Sequence, residues 1–190
     1  SADKPEVTLL INNAGCGYLG NIGEVDTASQ TRMVDLNVRA LTAVTHSTIP
    51  YMTKGGRIIN IASVAADQPI PYINVYAASK SFVLRYSRAL NRELKPRGIR
   101  VMSVNPFWVK TEFFEHALKT SSTAITHYSR WYEAKDVIAT ALKHLYKTKK
   151  DVSIHGFYAR GQVFLTKILP HSLVMNVWLR QQKKNKLPEE

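Results

Sequence analysis

A tyrosine and a lysine near the middle of the chain could together perform acid–base chemistry. Tyr76 and Lys80 are four residues apart, so a helix would place both side chains on one face. A neighbouring ammonium group stabilises phenolate and lowers the pKa of a phenol, which is ordinarily about 10. A tyrosine adjusted in this way can exchange a proton with an alcohol or a ketone near neutral pH.

The same spacing also occurs where no chemistry is expected. Tyr146 and Lys150 repeat it in a lysine-rich segment that is typical of the solvated end of a helix. The spacing alone therefore indicates no more than a helix surface. The residues that accompany Tyr76 elsewhere in the chain must distinguish the two pairs.

Length, composition and cysteine content favour one globular domain in a reducing compartment. Of 190 residues, 45% are hydrophobic and 21% are charged, which is ordinary for a globular protein. The single cysteine, Cys16, cannot form an internal disulfide, and the polar start does not resemble a signal peptide. We therefore expect a cytoplasmic protein with a single domain over residues 1–190, in which residues 155–190 form a helical C-terminal extension.

The net charge of +12 permits an anionic partner, such as nucleic acid, a phosphate-bearing cofactor or a membrane surface. The basic residues are scattered apart from clusters at 147–150 and 180–186, and neither cluster is interleaved with aromatic residues as in single-strand binders. We therefore expect no nucleic-acid partner. The apolar stretches near the C-terminus are too short and interrupted to span a bilayer, so membrane attachment is not expected either.

Hydrophobic patterns predict strands that alternate with helices. Buried strands are predicted at 7–11, 57–62, 100–104 and 152–154. The first amphipathic helix is predicted to begin after a cap at Thr27 or Ser29 and to have an apolar face from Val34 to Met52. A second helix is predicted around Tyr76 and Lys80. Further helices are predicted at 111–119, 133–147, 157–169 and 172–182, with a polar loop at 120–126. This alternation is typical of an α/β fold with a doubly wound parallel sheet.

Two features of the first third of the chain need separate interpretation. Gly15, Gly17 and Gly20 match the dinucleotide fingerprint G-x-G-x-x-G after a predicted strand, but residues 21–26 show no helical stripe to follow it. We interpret these glycines as a loop and the match as accidental. Asn37 interrupts the apolar face of the first helix, where asparagine is a poor helix former. It is either an exposed polar residue or a distortion that frees a backbone carbonyl.

Topology brings several polar positions to one rim of the predicted sheet. Ligands of such sheets bind beyond the carboxyl ends of the strands, and Asn13, Ser63 and Pro106 follow three of these ends. The helix that carries Tyr76 begins on the same side. We therefore expect these four residues to converge.

These residues resemble the motifs of short-chain dehydrogenases/reductases, and the resemblance covers nearly the whole chain. Asn12-Asn13-Ala14-Gly15 matches the family's Asn-Asn-Ala-Gly, and Tyr76 with Lys80 matches Tyr-x-x-x-Lys. Ser63 and Asn37 stand where the family has its catalytic serine and asparagine. The segment that contains Pro106, Val109 and Thr111 resembles Pro-Gly-x-Val-x-Thr, although Phe107 replaces the glycine. Residues 107–114 and the C-terminal helices resemble hydroxysteroid and 3-ketoacyl reductases.

The resemblance implies a Rossmann-like fold and hydride transfer between NADP(H) or NAD(H) and an alcohol or ketone. Tyr76 would be the acid or base, Lys80 would lower its pKa and hold the nicotinamide ribose, and Ser63 would donate a hydrogen bond to the substrate oxygen. Asn37 would hold a water that links Lys80 to solvent. The implied cofactor contacts are Asn13, Ala14, Gly15, Tyr76, Lys80, Pro106, Val109 and Thr111.

The resemblance also implies that the chain begins at the family's fourth strand. The expected sheet therefore lacks the first βαβ units, which hold the diphosphate and select NAD or NADP. We expect the chain alone to be inactive and to form homo-oligomers, associating through its first strand.

Aromatic residues after the third predicted strand are candidates for a substrate wall or for ordinary core beneath a loop. They are Phe107, Trp108, Phe113 and Phe114, together with residues of the 117–132 segment. As a wall they would favour a bulky apolar carbonyl or alcohol. Two other functions stay open: a non-catalytic protein that acts by association, and a lipid-surface binder at 157–186. The latter requires a basic stripe that Lys167 and Arg180 alone do not supply.

Overall fold

Strands and helices alternate along most of the chain. The computed structural model describes residues 5–113, 117 and 125–184. The strands are β1 (Leu9–Asn12), β2 (Arg57–Ile61), β3 (Arg100–Val104), β4 (Trp108–Val109), β5 (Trp131–Tyr132) and β6 (Val152–Ser153). The α-helices are α1 (Thr27–Val34), α2 (Leu41–Thr48), α3 (Asn74–Glu93), α4 (Ala134–Lys147), α5 (Phe157–Ile168) and α6 (His171–Lys184), and a π-helix at Asp35–Ala40 joins α1 to α2.

Four strands form a parallel sheet in the order β1-β2-β3-β6. Asn12 is aligned with Asn60, and Asn60 is aligned with Ser103. The carboxyl ends of the three long strands therefore lie along one rim. The predicted parallel α/β sheet is confirmed.

Both faces of β2 and β3 are covered, as their uninterrupted apolar runs require. Ile58 belongs to the layer beneath α3, which also contains Met52, Leu90, Leu94, Ile99 and Val101. Ile59 faces the opposite way into the layer beneath α4, which also contains Met102, Val104, Val137, Ala141 and Leu145. Successive residues of a strand point to opposite faces, so a strand buried on both sides needs apolar residues throughout.

The first helix differs from the prediction at its start and in its middle. Its N-cap is Asp26 rather than Thr27 or Ser29, because the Asp26 carboxylate accepts hydrogen bonds from the backbone amide of Ser29 (2.8 Å) and from its hydroxyl (2.7 Å). The π-helix then changes the register between α1 and α2. Val34, which was predicted on the buried face, is consequently 41% exposed, whereas Leu41 and Met52 are buried.

The segment after β3 contains a small sheet that the sequence did not predict. Trp108 is aligned with Trp131 and Val109 with Tyr132 in two short parallel strands. The predicted helix at 111–119, the predicted loop at 120–126 and Phe114 lie largely outside the described residues.

The two C-terminal helices form as predicted, with Pro170 between them. The Trp178 indole of α6 donates a hydrogen bond to the Pro71 carbonyl (3.1 Å), and the Gln182 side-chain oxygen accepts from the backbone amides of Thr126 (2.9 Å) and His127 (3.0 Å). These contacts attach α6 to the loops around the rim of the sheet. Among the helices described, none is both long and apolar enough to cross a membrane.

Candidate active site

Ser63, Tyr76 and Lys80 line one large cavity at the carboxyl rim of the sheet. Its volume is about 1480 Å³. Ser63 follows β2, and its hydroxyl accepts a hydrogen bond from the Ala65 amide (3.1 Å). Tyr76 and Lys80 occupy the first two turns of α3. The structure therefore brings the three predicted residues together.

The Tyr76 phenol lies in a closely packed environment. Its ring is 5.7 Å from the ring of Phe113, measured between centroids. Burial raises the pKa of Tyr76 to about 12, and a hydrogen bond with the Ser63 side chain opposes part of this change. The sequence predicted a lowered pKa, so the protein groups shift it in the opposite direction. Desolvation of the phenolate is the largest cause, and it outweighs the hydrogen bond with Ser63.

Lys80 is only 5% exposed and is held by the backbone of β2. Its ammonium group donates a hydrogen bond to the Ile61 carbonyl (2.9 Å) and lies 5.7 Å from the centroid of the Tyr76 ring. Burial lowers the pKa of Lys80 to about 8, against a smaller raising effect of Cys16. Lys80 can therefore gain or lose its charge close to neutral pH.

Asn37 lies in the π-helix behind this pair and is 1% exposed. Its amide nitrogen donates to the Cys16 carbonyl (2.9 Å) and to the Ser79 hydroxyl (3.1 Å), and its oxygen accepts from the Cys16 amide (3.0 Å). The alternative that Asn37 is an exposed polar residue is thus wrong. The helix is distorted at Asn37, as the other alternative required, whereas a freed backbone carbonyl stays a prediction. A water held by Asn37 stays a prediction.

The loop after β1 approaches the site closely at two glycines. A Cβ on Gly15 would lie 3.1 Å from Oδ1 of Asn37 and 3.2 Å from Nζ of Lys80. A Cβ on Gly17 would lie 2.7 Å from the Phe113 ring and 3.1 Å from Cδ2 of Tyr76. The loop interpretation is correct, since α1 begins only at residue 27. The sequence did not predict that Gly17 lies against the rings of Phe113 and Tyr76, because these neighbours come from distant parts of the chain.

Other predicted cofactor residues occupy different positions relative to the cavity. Its lining includes Asn13, Gly15, Pro106, Val109 and Thr111. Ala14 is exposed and does not contribute to this lining. The predicted cofactor contact of Ala14 therefore gains no support from the cavity wall.

The predicted substrate wall does face the cavity. Phe107, Trp108 and Phe113 line it, as do His127 and Ser129 of the 117–132 segment. These aromatics also pack on one another, with Trp108 edge-on to Tyr128 at 5.0 Å between centroids. They therefore serve both as a wall and as part of the structure beneath the rim.

A buried polar network fixes the strands beneath the site. The Asn12 amide donates to the Thr45 hydroxyl (2.8 Å) and to the Asn60 side-chain oxygen (2.7 Å), and Asn60 donates to the Ser87 hydroxyl (2.9 Å). This network joins β1 and β2 to α2 and α3. Asn12 thus ties the strands together, whereas its neighbour Asn13 lines the cavity.

No metal centre accompanies these residues in the part of the chain that the structure describes, since three His, Cys, Asp or Glu side chains gather nowhere in it. At the rim, the Tyr76 phenol, the Ser63 hydroxyl and the Lys80 ammonium group can exchange protons and form hydrogen bonds.

Sequence comparison relates the chain to a known family. The family described as short chain dehydrogenase matches residues 2–122, more than half of the chain. Sulfoacetaldehyde reductase 2 of Chromohalobacter salexigens is 38% identical over 111 residues, which cover 56% of this chain and 44% of the relative. A very-long-chain 3-oxoacyl-CoA reductase of Anas platyrhynchos is 31% identical over 185 residues, which cover 94% of this chain and 56% of the relative. The chain spans about half the length of the curated relatives it matches.

Structure comparison gives the same relationship. The 3-ketoacyl-(acyl-carrier-protein) reductase of Brucella melitensis, complexed with NADH, has a TM-score of 0.65 and 28% identity, covering 77% of this chain and 64% of its own. A short-chain dehydrogenase of Sphingobium yanoikuyae, in complex with NADPH, has a TM-score of 0.68 and 27% identity, covering 87% and 66%. The chain therefore belongs to the short-chain dehydrogenase family.

Proposed function

We propose that this protein is an oxidoreductase that transfers a hydride between NADP(H) or NAD(H) and an alcohol or ketone. The observation that carries the proposal is the convergence of Ser63, Tyr76 and Lys80 on one cavity. Family membership and relatives that bind NADH or NADPH support it.

The cavity wall suits the nicotinamide end of the cofactor. Gly15 exposes its backbone between Asn37 and Lys80, where a side chain would fill the space. Asn13, Pro106, Val109 and Thr111 would complete the contacts from the ends of neighbouring strands. When bound, the dinucleotide supplies the hydride or accepts it.

Each catalytic side chain has a distinct task in this proposal. The Tyr76 phenol is neutral at physiological pH, since its pKa is raised to about 12, and it gives its proton to the developing alkoxide during reduction. The Ser63 hydroxyl donates a hydrogen bond to the same oxygen. In the oxidative direction Tyr76 must become phenolate, and the Lys80 ammonium stabilises that charge. Asn37 positions the Cys16 backbone and Ser79 behind the pair.

The substrate that fits best is a bulky apolar carbonyl compound or alcohol. The aromatic side chains Phe107, Trp108 and Phe113 and the apolar residues of α5 and α6 together line the same cavity as Tyr76. Such a lining favours apolar substrates, with Ser63 and Tyr76 as the polar groups that orient the reacting oxygen.

Replacement of Tyr76 by phenylalanine tests the proposal. Tyr76→Phe removes the exchangeable proton and keeps the ring, so turnover should fall by about a hundredfold or more while circular dichroism is unchanged. Because the chain alone is expected to be inactive, turnover is measured in a protein that also carries the family's first βαβ units. It is followed by nicotinamide absorbance with a panel of apolar ketones and alcohols. Tyr146→Phe is the matched control, since Tyr146 is 52% exposed on α4. Near-normal turnover of Tyr76→Phe would rule out the assignment.

A second candidate function is association without catalysis. The exposed edge of the sheet at β1 favours it, because Leu9 is 36% exposed and Ile11 is 50% exposed. The same panel separates the two functions, again in a protein that carries the first βαβ units. If that protein associates but oxidises or reduces none of these compounds with either dinucleotide, the second candidate is supported.

A further inference from the structure

One side of α5 is apolar and exposed to solvent. Phe157 is 88% exposed, Phe164 is 62% exposed and Ile168 is 59% exposed. Spacings of seven and four residues place these three side chains in one line along the helix. The opposite side of α5 packs against the protein, where Ala159, Val163 and Thr166 are buried. The helix is therefore apolar outside as well as inside, unlike an ordinary surface helix.

The apolar surface continues around the opening of the cavity. Four side chains of α5, α6 and the segment between them are partly exposed and also line the cavity, namely Leu165 (49%), Leu169 (36%), Leu173 (47%) and Val177 (45%). The cavity that contains Tyr76 therefore opens onto the same surface as the line of Phe157, Phe164 and Ile168. We call these seven residues the apolar face.

Positive charge borders the apolar face. Arg160 and Lys167 are exposed and seven residues apart, so they run alongside the line of apolar residues on α5. Together with Arg88 and Lys150 they line a smaller polar cavity of about 270 Å³, which also contains Asp67 and Asp151. Arg180 and Lys183 add positive charge on α6, and no aspartate or glutamate occurs between residues 157 and 184.

We propose that the apolar face docks onto an anionic phospholipid bilayer. Phe157, Phe164 and Ile168 would enter the boundary between headgroups and acyl chains, and Arg160 and Lys167 would contact the lipid phosphates. A second copy of the chain fits less well, because it would bring the cations of both copies together. Asp67 and Asp151, which lie beside Arg160 and Lys167, are outnumbered by the four cations that share their cavity.

Docking in this orientation would place the opening of the cavity against the lipid. An apolar substrate dissolved in the bilayer could then reach Tyr76 without crossing water, a consequence that rests on the proposed function. The sequence led to the opposite expectation about membranes. Its pattern showed no basic stripe opposite the leucines and valines, and it could not show that the apolar line of α5 is exposed.

Vesicle co-sedimentation tests the docking directly, without nicotinamide or substrate. The whole chain should bind vesicles of equal parts phosphatidylcholine and phosphatidylserine, bind phosphatidylcholine vesicles more weakly, and lose affinity as salt is raised. The double variants Phe164→Ser/Ile168→Ser and Arg160→Gln/Lys167→Gln should each bind the anionic vesicles about tenfold more weakly or worse. These side chains are exposed, and circular dichroism verifies that the variants fold.

Matched controls use exposed residues elsewhere. Ile22→Ser removes an apolar side chain that is 94% exposed, and Arg92→Gln/Lys95→Gln removes two exposed cations on and after α3; both should bind vesicles like the original chain. Absence of binding to anionic vesicles would overturn the proposal, as would equal binding by all variants. A dimer in sedimentation that Phe164→Ser/Ile168→Ser converts to monomer would overturn it in favour of a second copy. Because no turnover is measured, failure here leaves the oxidoreductase proposal intact.

Discussion

Tyr76 and Lys80 occupy surroundings that disfavour charge on both side chains. Burial raises the pKa of Tyr76 to about 12 and lowers that of Lys80 to about 8. The same cause acts on an acid and a base in opposite directions, because in each case it favours the neutral form. A pair adjusted in this way keeps the proton on the phenol and leaves the lysine close to its titration range at neutral pH.

Lys80→Met tests the role of the ammonium group in proton transfer. The variant should react more slowly, and its activity in the oxidative direction should require a higher pH, since phenolate forms less readily without the cation. The measurement is kcat/KM across the titration range. Lys95→Met, an exposed lysine after α3, is the control. An unchanged pH profile in Lys80→Met would contradict the role.

Lys80→Met also tests how the free energy of unfolding depends on pH. Between about pH 8 and pH 10 the folded Lys80 has lost its proton while the unfolded lysine, with a pKa of 10.5, still holds it. The unfolded state then binds more protons, so this residue makes the free energy of unfolding rise with pH, by on the order of 3 kcal/mol over its whole titration. Denaturant unfolding at several pH values should show this rise in the original chain and in Lys95→Met. If the free energy of unfolding rises with pH by the same amount in Lys80→Met, the rise does not come from Lys80, and the lowered pKa of Lys80 is contradicted.

The loop after β1, the π-helix and α3 pack closely against one another and so position the reacting groups. The loop after β1 brings Gly15 against Asn37 and Lys80 and brings Gly17 against Tyr76. The π-helix places Asn37 where it can bond the same loop through the Cys16 backbone. A π-helix is rare and costs hydrogen-bond geometry, and such segments are frequent at functional sites. Here the distortion has a visible result, since it brings a buried amide between the loop and α3.

Gly17→Ala tests how closely the loop must approach. The new Cβ would meet the Phe113 ring at 2.7 Å and the Tyr76 ring at 3.1 Å, so one of these side chains must move. A displacement of the phenol by a fraction of an ångström to 1 Å should lower kcat, by up to on the order of a hundredfold, while the fold is kept.

The matched control for this substitution is Gly161→Ala in α5, where an added Cβ meets nothing within 4 Å. Gly161 lines the cavity, but its added Cβ does not approach Tyr76, so turnover should change far less than in Gly17→Ala. The substitution should stabilise the helix by about 1 kcal/mol. Equal turnover in Gly17→Ala and Gly161→Ala would show that the loop position does not control the phenol.

At the scale of the whole molecule, one edge of the sheet is open. In the described residues β1 is bonded to β2 on one side, and its other side carries no strand. Leu9 and Ile11 are exposed on the face toward α4, where Ile138 and Leu142 are 57% and 42% exposed. Free N–H and C=O groups beside an apolar surface form a template for pairing with another chain.

We therefore expect the chain to associate through β1. Sedimentation should show dimers or larger species, and Leu9→Lys should shift them toward monomer, because a charge at the edge opposes pairing. Ile22→Lys is the control, since Ile22 is 94% exposed in the loop before α1, outside the sheet. A monomer at all concentrations, or association unaffected by Leu9→Lys, would contradict this.

Much of the architecture was readable from local pattern. The apolar runs of β2 and β3 and the periodic faces of α3 and α4 depend on short-range spacing, which the sequence displays directly. The split between α5 and α6 follows from Pro170, which lacks the amide that a continuous helix needs. The predicted cap at Thr27 differs from the observed cap at Asp26 by one residue. Asp, Thr and Ser are all good caps, and which of them acts depends on where the backbone changes from extended to helical.

The sequence by itself determined the parallel α/β sheet and the candidates Ser63, Tyr76 and Lys80, because residue type, order and strand ends suffice to bring them to one rim. Tertiary structure decided their properties. The direction of the Tyr76 pKa, the close contacts at Gly17, the buried amide of Asn37 and the exposed line on α5 each depend on what surrounds a residue. Those neighbours come from distant parts of the chain, and their distances and solvent access are set only when the elements pack.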